Sequence, residues 1–391
     1  MIRENFTPQA PGELVDITDE AGNKGVAFLP LRLPIDIPAV SGKSIRLALS
    51  RADSELARLD GVAGNIADPE NLFLSALRRE ALLSSKIEGT RTTLADLALF
   101  DLVREPKNDS LAVADYLEAY KYSRQRCREI PIGITLLSEI HGILVRHDDP
   151  ERTGPGRLRE RTVVIGTPPP RQARFVPPPW TFVRELVENL ADYLQNENEA
   201  PLIKLAVAHY QFETIHPFLD GNGRVGRILI STWLECQRIL TAPMLYISAY
   251  FQQQQEEYYD RLLRVSTHGE WEAWILFFLE AVETQARDSV IRAKNLDELR
   301  KRYHKEVEIA NGRSHNTHKL VDDLFRIPIT SVPSAVDLTG ITYAAAKAHV
   351  QKLIELKILD GEHPFSYKGT NYYFARELIS AVEGPIPDAQ L

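Results

Sequence analysis

Between Ser44 and about residue 310, apolar side chains recur at three- and four-residue spacing, a period that commits the chain to amphipathic helices. Leu47, Leu49, Leu56 and Leu59 fit one helical face. Leu72, Leu74, Leu77, Leu82 and Leu83 continue in a second run, which Gly89 would end as a C-cap before Thr93 or Asp96 opens the next helix. The same period predicts helices over 111–126, 134–146, 181–195, 202–215, 223–240, about 252–265 and 271–310. The stretch 154–180 breaks it. TVVIG at 162–166 and ARFV at 173–176 are β-prone, and Pro168–Pro170 and Pro177–Pro179 flank them, so a β-hairpin inserted in a helical protein is expected. Residues 1–41, rich in Pro, Asp and Gly, read as an extended arm packed on the body.

A polar segment at 305–316 marks a boundary, and beyond it the pattern is that of a small winged-helix unit. Helices are expected near 316–326, 332–338 and 342–358, with Gly340 at a turn. Two short strands near 364–368 and 371–375 would flank a wing at Lys368-Gly369-Thr370. The chain thus divides into 1–110, 111–310 and 315–391. The last block carries seven Lys/Arg against nine Asp/Glu, a weak footing for phosphate backbones, so protein contact or dimerisation is favoured over DNA. The whole chain has a net charge of −8, which argues against nucleic acid or anionic membrane as a bulk partner. No apolar stretch is long enough to span a bilayer, and the N-terminus lacks a basic-then-apolar run. The two cysteines, Cys127 and Cys236, are far apart with no metal-ligand spacing and are expected to be reduced and buried, pointing to the cytoplasm.

The chemistry concentrates at 216–227. A helix over 202–215 runs into His216-Pro217, a loop follows, and a new helix opens near Arg224. Gly221, Asn222 and Gly223 let backbone N–H groups converge on an anion, and the helix N-terminus adds its own unpaired N–H groups. Arg224 and Arg227 share a face of the first turn, where each cation opposes the helix dipole by about 0.3–1 kcal/mol. Placing them there makes sense around a polyanion. Asp220 offers the hard carboxylate that a phosphate-bound Mg²⁺ takes, and His216 is suited to accept a hydroxyl proton near neutral pH. An anion nest, a metal carboxylate, arginines and a base are the parts of a phosphoryl-type transfer site.

The run His216-Pro217-Phe218-Leu219-Asp220-Gly221-Asn222-Gly223-Arg224-Val225-Gly226-Arg227 resembles the Fic-family motif HPFx(D/E)GNGRxxR at all nine defined positions. PGRLRERTVVIG at 155–166 and RFVPPP at 174–179 are similar to the family's flap and return strand. The resemblance implies a mainly α fold: a Fic-type helical core with a β-hairpin flap, followed by a C-terminal winged helix. It implies a protein adenylyltransferase using ATP and Mg²⁺. His216 would deprotonate a Tyr, Thr or Ser hydroxyl, on a target protein or on the enzyme itself. Asp220 would hold the metal. Gly221, Asn222, Gly223, Arg224, Val225, Gly226 and Arg227 would bind the phosphates, with Arg227 at the γ-phosphate. The flap would align the target by strand addition.

Upstream, Ser84-Ser85-Lys86-Ile87-Glu88-Gly89 resembles the family's inhibitory pattern (S/T)xxxE(G/N). The resemblance implies that Glu88, with Ser84 opening the pattern, occupies the Arg227 donors that the γ-phosphate needs. Where relatives carry an Asn near the adenine, this sequence has Gln254, which keeps the amide donor and acceptor. Kinase-like transfer, as in the Doc branch, is disfavoured by Gly223, since lysine takes that place there. Removal of AMP from a modified target, and a nucleotide-sensing transcription regulator, are the alternative readings.

Overall fold

The computed structural model describes residues 1–64, 69–103, 108–196, 199–312 and 314–384. The fold is mainly α. An antiparallel pair, β1 (Gly12–Thr18) and β2 (Lys24–Pro30), precedes α1 (Lys43–Ala63), α2 (Pro69–Ile87), α3 (Leu94–Val103), α4 (Asn108–Arg126) and α5 (Ile134–Leu144). The one-turn α6 (Pro150–Thr153) follows. Then come α7 (Trp180–Gln195), α8 (Pro201–Ile215), α9 (Asn222–Cys236), α10 (Ser248–Gln253), α11 (Gln255–His268) and the long α12 (Trp271–Asn311). The remainder is α13 (His315–Arg326), β3 (Ile329–Ser331), α14 (Val332–Thr339), α15 (Tyr343–Glu355), β4 (Phe365–Tyr367), β5 (Thr370–Phe374) and α16 (Arg376–Glu383). Among the described residues no helix is long and apolar enough to cross a membrane.

Two compact units form. The first comprises Met1–Ala57, Asp115–Leu240 and Ile247–Gln285; the second comprises Arg58–Ala114, Thr241–Tyr246 and Ala286–Leu391. The first is built around α8, whose side chains are buried on nearly every side between α7 and α9. Such a helix reads as apolar all round rather than striped. Pro201 starts it at a position whose N–H would have no helical partner anyway. The arm is a true hairpin, with Gly12 opposite Pro30 and Thr18 opposite Lys24. Its turn is set by Asp19, whose carboxylate accepts from the N–H groups of Ala21 and Asn23, and by Gly22 at φ +83°. The expected inserted hairpin is closed by one antiparallel bridge, Ile165–Phe175, with prolines interrupting pairing around it. The N-terminal hairpin packs on the return arm: Phe28 N–H donates to the Val176 carbonyl (2.9 Å), and Phe28 lies against Phe6 and Phe175.

Cys127 and Cys236 form a disulfide, correcting the expectation of two reduced thiols. Separation in sequence misled because side chains in the last turns of α4 bond the end of α9. Tyr120 and Arg124 both bond Glu235, and Ser123 bonds Thr232. The disulfide withdraws the support that free thiols gave to a cytosolic location.

In the second unit, Thr93 and Asp96 cap α3 reciprocally: the Asp96 N–H donates to Thr93 Oγ1 and the Thr93 N–H to Asp96 Oδ2. Ser75 on α2 bonds the Phe325 carbonyl of α13, and Arg292 donates to the carbonyls of Ala381, Val382 and Gly384 around the end of α16. The helices and two short strands expected at 315–375 are present, and β3 adds a strand the sequence did not announce, giving sheet order β3-β5-β4. Gly340 sits at φ +71° as the helix stop.

Candidate active site

Helix α8 stops at His216, which adopts φ 50°, ψ 63°, a left-handed conformation uncommon outside glycine. Arg159, 2% exposed, holds that turn. Its guanidinium donates to the carbonyls of His216 (2.8 Å), Ile215 (3.2 Å), Pro178 (2.6 Å) and Arg161 (3.1 Å), and its backbone N–H donates to Pro217 O. Both ends of the flap and the histidine backbone therefore hang on one cation. Burial draws its pKa down to about 10, so it stays charged at neutral pH. On the imidazole, Nδ1 lies 3.3 Å from the Glu213 carbonyl. A carbonyl only accepts, so Nδ1 carries the proton and the ring lone pair is on Nε2.

The loop after His216 is closed by Asn222. Its side chain accepts from Phe218 N–H (2.8 Å) and donates to Phe218 C=O (2.9 Å), while Phe218 itself is fully buried. The amide of Asn222 is thus committed to the loop, and what it can offer an anion is its backbone N–H. Gly221, at φ +76°, is the residue that needs a missing side chain: a Cβ there would lie 3.2 Å from Val145 Cγ1. Gly223 adopts no positive φ and is helical, so the expected glycine nest is one left-handed residue plus a helix start. The first intrahelical bond is Val225 N–H to Gly221 O, leaving the N–H groups of Asn222, Gly223 and Arg224 without acceptors inside α9.

Arg224 is 7% exposed, with Nη2 4.0 Å from Asp148 Oδ2 and a buried Nε that has no hydrogen-bond partner. A buried donor without an acceptor, beside a helix N-terminus, suits an anion. Arg227 is 1% exposed. Burial first, and the Arg227 charge second, pull the His209 pKa down to about 3. Val225 and Gly226 follow on α9, both buried. Val225 is fully buried with its N–H used in the helix, and Gly226 lies against α8, where a Cβ would sit 3.0 Å from Phe212 and 3.3 Å from His209.

Asp220 Oδ1 accepts from Gly221 N–H (2.6 Å), and Oδ2 lies 3.3 Å from Arg152 Nη2 in a largely exposed pair. Among the described residues no group of three or more His, Cys, Asp or Glu side chains is arranged to hold a metal alone. A Mg²⁺ arriving with a polyphosphate takes one or two protein carboxylates, and Asp220 is a carboxylate placed beside the loop. The residues present fit such a metal–polyphosphate pair.

Gln254 sits between α10 and α11 with its side chain exposed. Ser84 is buried on α2 and Glu88 is exposed one residue past its end; both belong to the second unit, and the motif to the first. Sequence reading missed two residues at the motif. Arg159 lay inside the flap segment, but its carbonyl partners carry no sequence mark. His141 on α5 is fully buried, stacked on Phe218 at 4.0 Å and 8°, and bonded to Asp220 O and Gly156 N. Burial, ahead of all else, lowers its pKa to about 4. Nothing in an isolated Ile-His-Gly distinguishes it from an ordinary core histidine.

The sequence profile of the Fic/DOC family matches residues 131–234, and that of the Fic/DOC family N-terminal region matches 46–125. A protein adenylyltransferase of Caenorhabditis elegans is 33% identical over 103 residues, 26% of this chain and 18% of the relative. A probable protein adenylyltransferase of Aquifex aeolicus is 46% identical over 63 residues, 16% of this chain and 20% of the relative. Protein adenylyltransferase Fic of Drosophila willistoni is 29% identical over 248 residues, covering 59% of this chain and 46% of its own. The chain thus spans less than half the length of each of these curated relatives. The crystal structure of a Fic family protein from Desulfovibrio desulfuricans superposes with a TM-score of 0.57 at 21% identity, covering 88% of this chain and 98% of that one. The chain thus carries a Fic/DOC family match at 131–234 and a match to the family's N-terminal region at 46–125, in that order, and shares the fold of a Fic family protein.

Proposed function

We propose that the protein transfers AMP from Mg-ATP to a hydroxyl of a target protein and of itself. The observation that carries this reading is the folded run His216–Arg227. A histidine with its lone pair on Nε2, a carboxylate, a left-handed glycine, a helix N-terminus and the buried Arg224 Nε follow one another in a single turn-and-helix. In the reaction the hydroxyl oxygen bonds the α-phosphorus as its proton passes to His216 Nε2. The bond to the bridging oxygen breaks, and pyrophosphate leaves. The N–H groups of Asn222, Gly223 and Arg224, with Arg224 and Arg227, hold the phosphates, and Asp220 holds the metal. Mg²⁺, when bound, neutralises charge on the polyphosphate.

The pattern from Ser84 to Gly89 supports restraint by Glu88, whose carboxylate competes with the γ-phosphate for Arg227. Gln254 is the proposed adenine contact. The helices and three-stranded sheet at 315–384 support a winged-helix reading, and its acidic balance favours protein contact or self-association over DNA. The test is intact-mass spectrometry after incubation with Mg-ATP and a hydroxyl-bearing target. A gain of one adenylate unit on protein is expected, and no adduct on any protein, including a Glu88→Gly form, would sink the proposal.

A further inference from the structure

The buried His141 joins three separate pieces of chain: α5, the turn at Gly156 and the motif loop. Its tautomer follows from its partners. The Gly156 N–H can only donate, so His141 Nδ1 accepts (3.1 Å) and the proton lies on Nε2. Nε2–H donates to the Asp220 carbonyl at 3.0 Å. The same peptide plane presents the Gly221 N–H on its other side, and that N–H donates to Asp220 Oδ1 at 2.6 Å. A single peptide unit thus has its carbonyl held by His141 and its N–H turned onto the carboxylate. The ring cannot swing, because it lies flat on Phe218 with centroids 4.0 Å apart.

We infer that His141 is a positioning residue for the Asp220 carboxylate, acting through the peptide bond between Asp220 and Gly221. The inference rests on the reading of Asp220 as the metal ligand. Glycine at 221 makes the restraint necessary, since a residue with no Cβ allows that peptide to rotate between orientations. Arg152 cannot supply the restraint, as it is 63% exposed and its pair with Asp220 is weak and screened. Losing the His141 donor frees the peptide and blurs the carboxylate. Residues that orient a metal ligand in this way typically contribute tenfold or more in affinity.

The test measures ATP affinity by calorimetry, with Mg²⁺ and with EDTA, for the wild type, His141→Phe, Asp220→Ala and the double variant. Phenylalanine preserves the stack on Phe218 and removes only the hydrogen bonds. In the wild type, Mg²⁺ should tighten ATP binding. His141→Phe should lose about tenfold of that gain, while affinity in EDTA stays at the wild-type value. In the Asp220→Ala background, His141→Phe should change nothing further. If His141→Phe keeps the full Mg²⁺ gain, or weakens binding equally in EDTA, the inference is overturned. If the wild type itself gains nothing from Mg²⁺, the metal-ligand reading falls first and takes the inference with it. A second measurement does not depend on the variant folding. Nitrogen NMR of histidine-labelled wild type should show the His141 proton on Nε2, and a proton on Nδ1 would overturn the inference.

Discussion

Asn222→Ala isolates what holds the motif loop in shape. The Asn222 side chain, 2% exposed, makes two hydrogen bonds of 2.8 and 2.9 Å to the N–H and C=O of the fully buried Phe218. Truncation leaves one buried donor and one buried acceptor without partners, at about 1–3 kcal/mol each, so about 2–6 kcal/mol of stability should be lost. A water entering the vacated space would bring the loss towards the lower figure. Alanine at the first helical position adds no helix penalty, so the loss reads the loop alone. All four tryptophans, Trp180, Trp233, Trp271 and Trp274, lie in the first unit, so urea unfolding followed by tryptophan fluorescence reports the unit that holds the motif. Asn222→Asp retains the acceptor for Phe218 N–H and gains about 0.3–1 kcal/mol from the helix dipole, so it should fall between alanine and wild type. ATP affinity should drop with stability, since the three first-turn N–H groups depend on the loop. An alanine variant within about 0.5 kcal/mol of wild type, with unchanged ATP affinity, would refute this account of the loop.

His216→Ala should reduce AMP transfer by about 10²–10⁴ with ATP binding retained, as read by calorimetry beside an initial-rate assay; a near wild-type rate would remove the histidine from its role. Glu88→Gly should raise transfer by about tenfold or more through better phosphate positioning. That gain should vanish with Arg227→Ala, and Glu88→Gln separates lost charge from a loosened helix end.

Helices were legible because their determinants are local. The period of the leucines, the Thr93–Asp96 cap and the Gly340 stop all sit within a few residues of what they control. The motif was legible for the same reason, as twelve contiguous residues carry the turn, the left-handed glycine and the arginines. What could not be read depends on residues that meet only in space. Cys127, just past the end of α4, and Cys236, the last residue of α9, are 109 apart in sequence yet bonded to each other. Arg159 bonds only backbone carbonyls, and any residue type supplies those. The burial of Val225 and the close approach of α8 at Gly226 also depend on packing that the motif does not display. The grouping of 58–114 with 286–391 in one compact unit likewise comes from long-range packing, such as α2 on α13, that no stretch of sequence displays.

The most direct test of the central claim is incubation of the 391-residue protein and of its Glu88→Gly variant with ATP labelled at the α-phosphate or, in parallel, at the γ-phosphate. Nucleotidyl transfer predicts that protein retains the α label and not the γ label, and that His216→Ala abolishes the signal. Retention of the γ label, or α labelling that survives His216→Ala unchanged, would contradict it.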